Sequence, residues 1–155
     1  MYKQLISTLI AWIAVASYAL TFSPELLQKA ENGDAAAQYN LAECYASGLG
    51  IEKNDNEALK YYIQAANQDY SDAQHELGWW YFNGTCVDEN ILEAKKWFER
   101  GANNGDVACM RALGIVYYLG FNGKAYPDEA FRLWDLVEKS DNAEEIWQLG
   151  NVFFG

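Results

Sequence analysis

One histidine is all that 155 residues offer, and that scarcity removes most catalytic chemistry at the outset. Without a second histidine no Ser or Cys has a ready general base, and the G-x-S-x-G turn that presents a nucleophilic serine does not occur. His75 is followed by Glu-Leu-Gly-Trp rather than by the H-E-x-x-H arrangement of zinc enzymes, and no Cys/His spacing suits a metal. Asp72 and Glu76 flank it, which makes His75 a solvated polar residue rather than a ligand. The one G-x-G, Gly48-Leu49-Gly50, falls where a helix ends and not after a strand, so no phosphate cradle is expected. No cofactor is implied.

Basic residues are also few: 11 Lys and Arg stand against 22 Asp and Glu, a formal charge of −11. Such a surface repels phosphate backbones and anionic lipid, which excludes nucleic acid and leaves a neutral or basic protein partner. Glu31, Glu43, Glu52, Asp55, Asp69, Asp72, Asp88 and Glu89 read as a solvated acidic face. Long apolar runs are missing too. Leu5 to Ala16 is uncharged, but Ser, Thr and Tyr from position 17 onward dilute it below the ~20 residues that span a bilayer. With Lys3 before it and Ser17-Tyr18-Ala19 after it, the run reads as a secretory signal over residues 1–19; the rival is an uncleaved N-terminal anchor. The mature chain is then expected to be periplasmic or secreted, with no stable membrane insertion. Cysteine is sparse and odd in number: Cys44, Cys86 and Cys109 are expected as buried thiols, with Cys44–Cys86 the one pairing that the spacing entertains.

Repetition is what the chain does have. Leu41, Leu77, Leu113 and Leu149 lie 36 apart, and the same shift carries Tyr45 to Tyr81, Tyr117 and Phe153. It also carries Gly48 to Gly84 and Gly120, Glu57-Ala58 to Glu93-Ala94 and Glu129-Ala130, and Ala30 to Ala66 and Ala102. A constant period of this size marks a solenoid, whose units stack because none can bury its apolar face alone. Glu57, Glu93 and Glu129 recur because each opens a helix, opposing the positive end of its dipole, and not as an acid–base pair.

The stretch AQHELGWWYFNGTCVDENILEAKKWFERGA, from Ala73, resembles one unit of the Sel-one-like repeat, a branch of the tetratricopeptide superfamily. Ala37-Gln38, Leu41, Tyr45, Gly48, Gly50, Ala58, Tyr61-Tyr62 and Ala65-Ala66 repeat the pattern. The resemblance implies an all-α, right-handed α-solenoid of helix-turn-helix units at about 34–69, 70–105 and 106–141, with a half unit at each end, the last over 142–155, within a domain at 20–155. It implies binding and assembly roles with no shared active site. The three cysteines fall at positions equivalent to Trp80, Gly50 and Ala73, which departs from the subfamily whose regular cysteine pairs staple each unit to the next.

Helices are expected over 25–30, from an Asp34 cap to about Ala46, from Asn54–Asn56, and over 71–83, 88–102, 106–119 and 127–138, with Asn142 and Glu145 opening a last one. Ala42, Gly78, Gly114 and Gly150 let paired helices approach. Glycine inside a helix costs about 1 kcal/mol against alanine, so a steric demand must offset it. In the third unit Gly123 stands where Ile51 and Val87 do, which leaves Phe121 to plug the turn.

If the units coil as tetratricopeptide-like repeats do, each first helix points three residues into a concave groove. These are Tyr39, Glu43 and Ala46; His75, Trp79 and Phe82; Arg111, Ile115 and Tyr118; and Trp147, Asn151 and Phe154. Exposed aromatic clusters mark recognition sites, and such a groove would hold an extended or helical peptide; the alternative is that the rings pack on one another. The reading is an exported, non-enzymatic module for protein or peptide binding. Two narrower readings stay open, an immunity protein or inhibitor acting on a secreted toxin or hydrolase, and a β-lactam-binding or β-lactam-hydrolysing relative.

Overall fold

The computed structural model describes residues 21–139; the expected signal segment at 1–19 and the half unit at 142–155, with Trp147, Asn151 and Phe154, lie outside the described residues. Among these residues stand seven helices and no strand: α1 (Pro24–Glu31), α2 (Ala35–Ser47), α3 (Asp55–Asn67), α4 (Ser71–Asn83), α5 (Ile91–Asn103), α6 (Val107–Leu119) and α7 (Pro127–Lys139). This is the all-α helical repeat that the period implies. The chain divides into two compact units, up to Tyr61 and from Tyr62 on, and α3 runs through the division.

In the first unit the helix ends are written locally. Ser23 accepts a hydrogen bond from the Leu26 amide at 3.1 Å ahead of Pro24, and Asp34 accepts from Ala37 at 2.7 Å, so each caps its helix. Gly48 closes α2 at φ 74°, a left-handed turn that favours glycine. Gln38, buried in α2, donates from Nε2 to the Ala30 carbonyl at 3.1 Å and so ties α2 to the last turn of α1. Tyr45 and Tyr61 stack with centroids 6.0 Å apart.

In the second unit Gln74 repeats the device, donating to the Ala66 carbonyl at 3.1 Å, and Asn90 and Asp106 cap α5 and α6. Helix α5 starts at Ile91 rather than at the expected Asp88, because Asn90 is the residue whose side chain reaches back to the Glu93 amide. The core is one apolar cluster running from Ala94 and Phe98 through Cys109, Leu113 and Val116 to Leu133 and Val137. The internal glycines create it. A Cβ on Gly78 would come within 2.6 Å of Phe98 Cδ1, and one on Gly114 within 2.7 Å of Trp134 Cε2, so each ring occupies the space that the glycine leaves. A third such contact, absent from the 36-residue pattern, joins neighbouring repeats: a Cβ on Gly101 of α5 would meet Cys109 Cβ of α6 at 2.9 Å and its Sγ closer still. Phe121 packs against the core and stacks on Tyr126 at 4.8 Å, filling the turn where Gly123 brings no side chain.

Cys44 and Cys109 are buried thiols as expected, but Cys86 is exposed. It stands at φ 58° where the preceding unit has Gly50, also at positive φ, and that turn geometry carries its side chain away from the core.

Candidate functional aromatic face

Of the residues expected to line a groove, Tyr39, Glu43 and Ala46 are half-buried on α2 in the first unit. In the second unit the structure separates the remaining six into two groups. On α4, His75, Trp79 and Phe82 are half-buried and held together. The Trp79 indole Nε1 donates to His75 Nε2 at 3.0 Å, and its ring lies edge-on to Phe82 at 5.2 Å and to Phe98 at 5.3 Å. Here the alternative applies, with rings packed on one another and on the partner helix.

On α6 the outcome differs. Ile115 is half-buried, Arg111 is exposed, and Tyr118 is 50% exposed. Tyr118 contacts Trp134 at 5.8 Å and Phe131 at 6.1 Å, while Phe131 and Trp134 lie 5.8 Å apart, so three rings form a mutually supporting cluster. Phe131 is 56% exposed. The Trp134 indole donates to the Arg111 carbonyl at 3.2 Å, which fixes the ring against α6. Beside it Arg111, Ile115, Trp134, Val137 and Glu138 line an open hollow of about 430 Å³.

Phe131 and Trp134 at this face, and the buried Phe98 beneath Trp79, are second-helix residues outside the expected set. The period already linked two of them, since a shift of 36 takes Tyr62 to Phe98 and Phe98 to Trp134, but attention to first helices alone passes over the second helices that complete the surface. Phe131 carries no such signal, because the equivalent positions are Leu59 and Lys95.

The charge around this face is balanced. Residues 107–139 hold four basic side chains, Arg111, Lys124, Arg132 and Lys139, and four acidic ones, Asp128, Glu129, Asp135 and Glu138. The acidity of the chain therefore lies elsewhere. Among the described residues no group of three His, Cys, Asp or Glu side chains could hold a metal, and no helix is long and apolar enough to cross a membrane. Burial, reinforced by Asp106, pushes the Cys109 thiol far above its ordinary range, so it packs as a neutral hydrophobe and not as a nucleophile.

Comparison with known proteins agrees with this architecture. The Sel1 repeat model matches residues 35–70, 71–106 and 107–136. The Sel1 repeat protein from Oxalobacter formigenes is similar in structure with a TM-score of 0.67 and 29% identity, over 80% of this chain and 95% of that one. A protective antigen present in uropathogenic Escherichia coli strains, displaying an SLR fold, gives 0.69 and 25% identity over 83% of this chain and 28% of its own. A 37-residue stretch is 49% identical to DAP3-binding cell death enhancer 1 of Mus musculus, covering 24% of this chain and 7% of that protein. Sel1 repeat proteins generally mediate protein–protein interaction and are typically non-enzymatic scaffolds. With three matched units spanning well over half of its length, this chain belongs to the Sel1 repeat family.

Proposed function

We propose that the chain is an exported, non-enzymatic interaction module that holds a protein or peptide on the aromatic face of its third repeat. The observation that carries this reading is the cluster of Tyr118, Phe131 and Trp134, two of whose rings are half-exposed beside an open hollow. Leaving two large rings in water forgoes the stabilisation that burying them would give, and rigid aromatic anchors are the side chains that dominate binding energy at interfaces. The balanced charge of residues 107–139 admits an apolar anchor without repulsion. A relative named for binding DAP3 is in keeping with such units serving as protein-binding surfaces. Export rests on the composition of residues 1–19, and a periplasmic or secreted location follows from it.

The test is a Tyr118→Ala/Phe131→Ala double variant used beside the parent chain for affinity capture from an envelope extract. Both rings are half-exposed, so far-UV circular dichroism should keep its shape and melting should fall by roughly 6 °C or less. A partner held by the parent and lost from the variant is the expected result, with at least a 10-fold weaker Kd from a loss of about 2 kcal/mol. Equal capture by a folded variant would remove this face from the account.

The formal charge of −11 favours a second, narrower reading, in which the partner is a basic secreted toxin or hydrolase that the chain neutralises. Opposite charge speeds encounter, so the association rate should fall steeply with added salt. Co-expression that gives no growth protection would count against it.

A further inference from the structure

We propose that His75 is a proton-operated latch on the Trp79 indole. An indole N–H can only donate, and that of Trp79 points at His75 Nε2 from 3.0 Å. Nε2 must therefore be the acceptor nitrogen. The imidazole is neutral, with its proton on Nδ1, which faces Glu76 Oε1 at 3.4 Å. Adding a proton to Nε2 sets two N–H donors head to head, an arrangement that cannot persist at that separation.

One ring has to move, and the surroundings decide which. Glu76, whose Oε1 lies 3.4 Å from Nδ1, holds the imidazolium where it is; Asp72 stands one turn earlier on the same helix. Across from them α5 presents the uncharged ring of Phe98, 6.1 Å from the imidazole centroid. On α6 the Cys109 thiol is kept neutral by burial, and Arg111 is the register equivalent of His75. Trp79 is held by packing alone, against the core and against the rings of Phe82 and Phe98. Protonation thus releases the indole while the imidazolium stays beside Glu76. The latch is independent of whichever partner the aromatic face of α6 and α7 holds.

The experiment follows the Trp indole N–H signals by ¹H–¹⁵N correlation from pH 8 to pH 5, with the Trp79 signal identified by its loss in Trp79→Phe. The expected result is a sigmoidal shift of that signal alone, with faster solvent exchange on the acid side and a midpoint that coincides with the His75 Cε1–H titration. His75→Gln, whose side-chain oxygen keeps an acceptor at every pH, should leave the signal flat. A Trp79 signal that moves no more than the other indole signals, or that titrates identically in His75→Gln, overturns the proposal. Should His75→Gln fail to fold, Glu76→Gln supplies the second arm: removing a supporting carboxylate should lower the midpoint, and an unmoved midpoint overturns the arrangement described.

Discussion

Gly101→Ala is a substitution for which two familiar rules give opposite answers. Helix propensity alone says that alanine in place of glycine at an interior position of α5 stabilises by about 1 kcal/mol. Geometry says otherwise. The new methyl would lie 2.9 Å from Cys109 Cβ and closer still to Sγ, so the sulfur takes most of the overlap, while the Cβ contact asks the helices to give only slightly. The thiol would have to turn and helices α5 and α6 to separate slightly, and overpacking of this kind costs about 3 kcal/mol at the upper end of its usual range. The net expectation is a loss of about 2 kcal/mol, or roughly 6 °C in melting temperature for a chain of this size. The preceding repeat indicates the remedy, since the equivalents of Gly101 and Cys109 are Ala65 and Ala73, both fully buried. Small faces large in one joint, and two medium residues meet in the other. Cys109→Ala alone should cost about 1 kcal/mol through the space it opens. The double variant, which recreates the alanine pair, should then lose no more than about 1 kcal/mol instead of the 3 kcal/mol that simple addition gives, a coupling of about 2 kcal/mol. Urea unfolding of the four proteins measures this cycle. A Gly101→Ala chain more stable than its parent, or additivity within about 0.5 kcal/mol, would refute the reasoning.

Gln74→Met, which copies Met110 into the second repeat, removes the bonds from Nε2 to Ala66 and Asp69 and should lower stability by about 1–2 kcal/mol in thermal melts; the Ala66 carbonyl keeps only the Asp69 amide. Tyr117, whose hydroxyl is pushed up to about 12 by burial and then by Glu99 and Glu129, contributes stability that is complete below the unfolded value of about 10 and is lost as pH rises through about 12. Denaturant midpoints between pH 9 and 12 should fall less steeply in Tyr117→Phe. The Arg100 guanidinium beside Asp69, at 2.8 Å, holds that carboxyl below its usual range, so its contribution is present above about pH 4 and is lost as pH falls through the lower folded value. Asp69→Asn keeps the positive φ of 59° that Asp and Asn both tolerate but lacks this acid-side slope; at pH 7 it should cost less than about 1 kcal/mol, and 1 M salt should abolish the difference.

The helix pairs were legible because their determinants recur. Leu41, Leu77 and Leu113 mark the buried stripe, and Gly78 and Gly114 mark where paired helices approach; the residues expected to fill the space beside them were Tyr81 and Tyr117, whereas the rings of Phe98 and Trp134 do so. Exposure at the proposed surface was not legible, because Trp79 and Tyr118 were both expected in the groove yet meet different neighbours. Trp79 finds a histidine nitrogen, Phe82 and the fully buried Phe98; Tyr118 finds Phe131, which is itself in water. A one-dimensional pattern assigns a direction to a side chain but not what the facing helix brings to meet it. The start of α5 was ambiguous for a simpler reason, since Asp88, Glu89 and Asn90 offer three polar side chains in a row and only backbone geometry selects the cap. The Gly101–Cys109 contact lay hidden because it is a deviation from the repeat, visible only when its two ends are read together.

That deviation bears on how a joint between repeats finds its orientation. Where Gln38 or Gln74 reaches a carbonyl of the helix before it, one azimuth satisfies the amide and its neighbours do not. Met110 occupies the same place on α6, and a thioether makes no such directional demand. Steric fit has to choose instead, so the bulk of one sulfur seated over a missing methyl selects the angle of the α5–α6 joint where hydrogen-bond direction does so elsewhere.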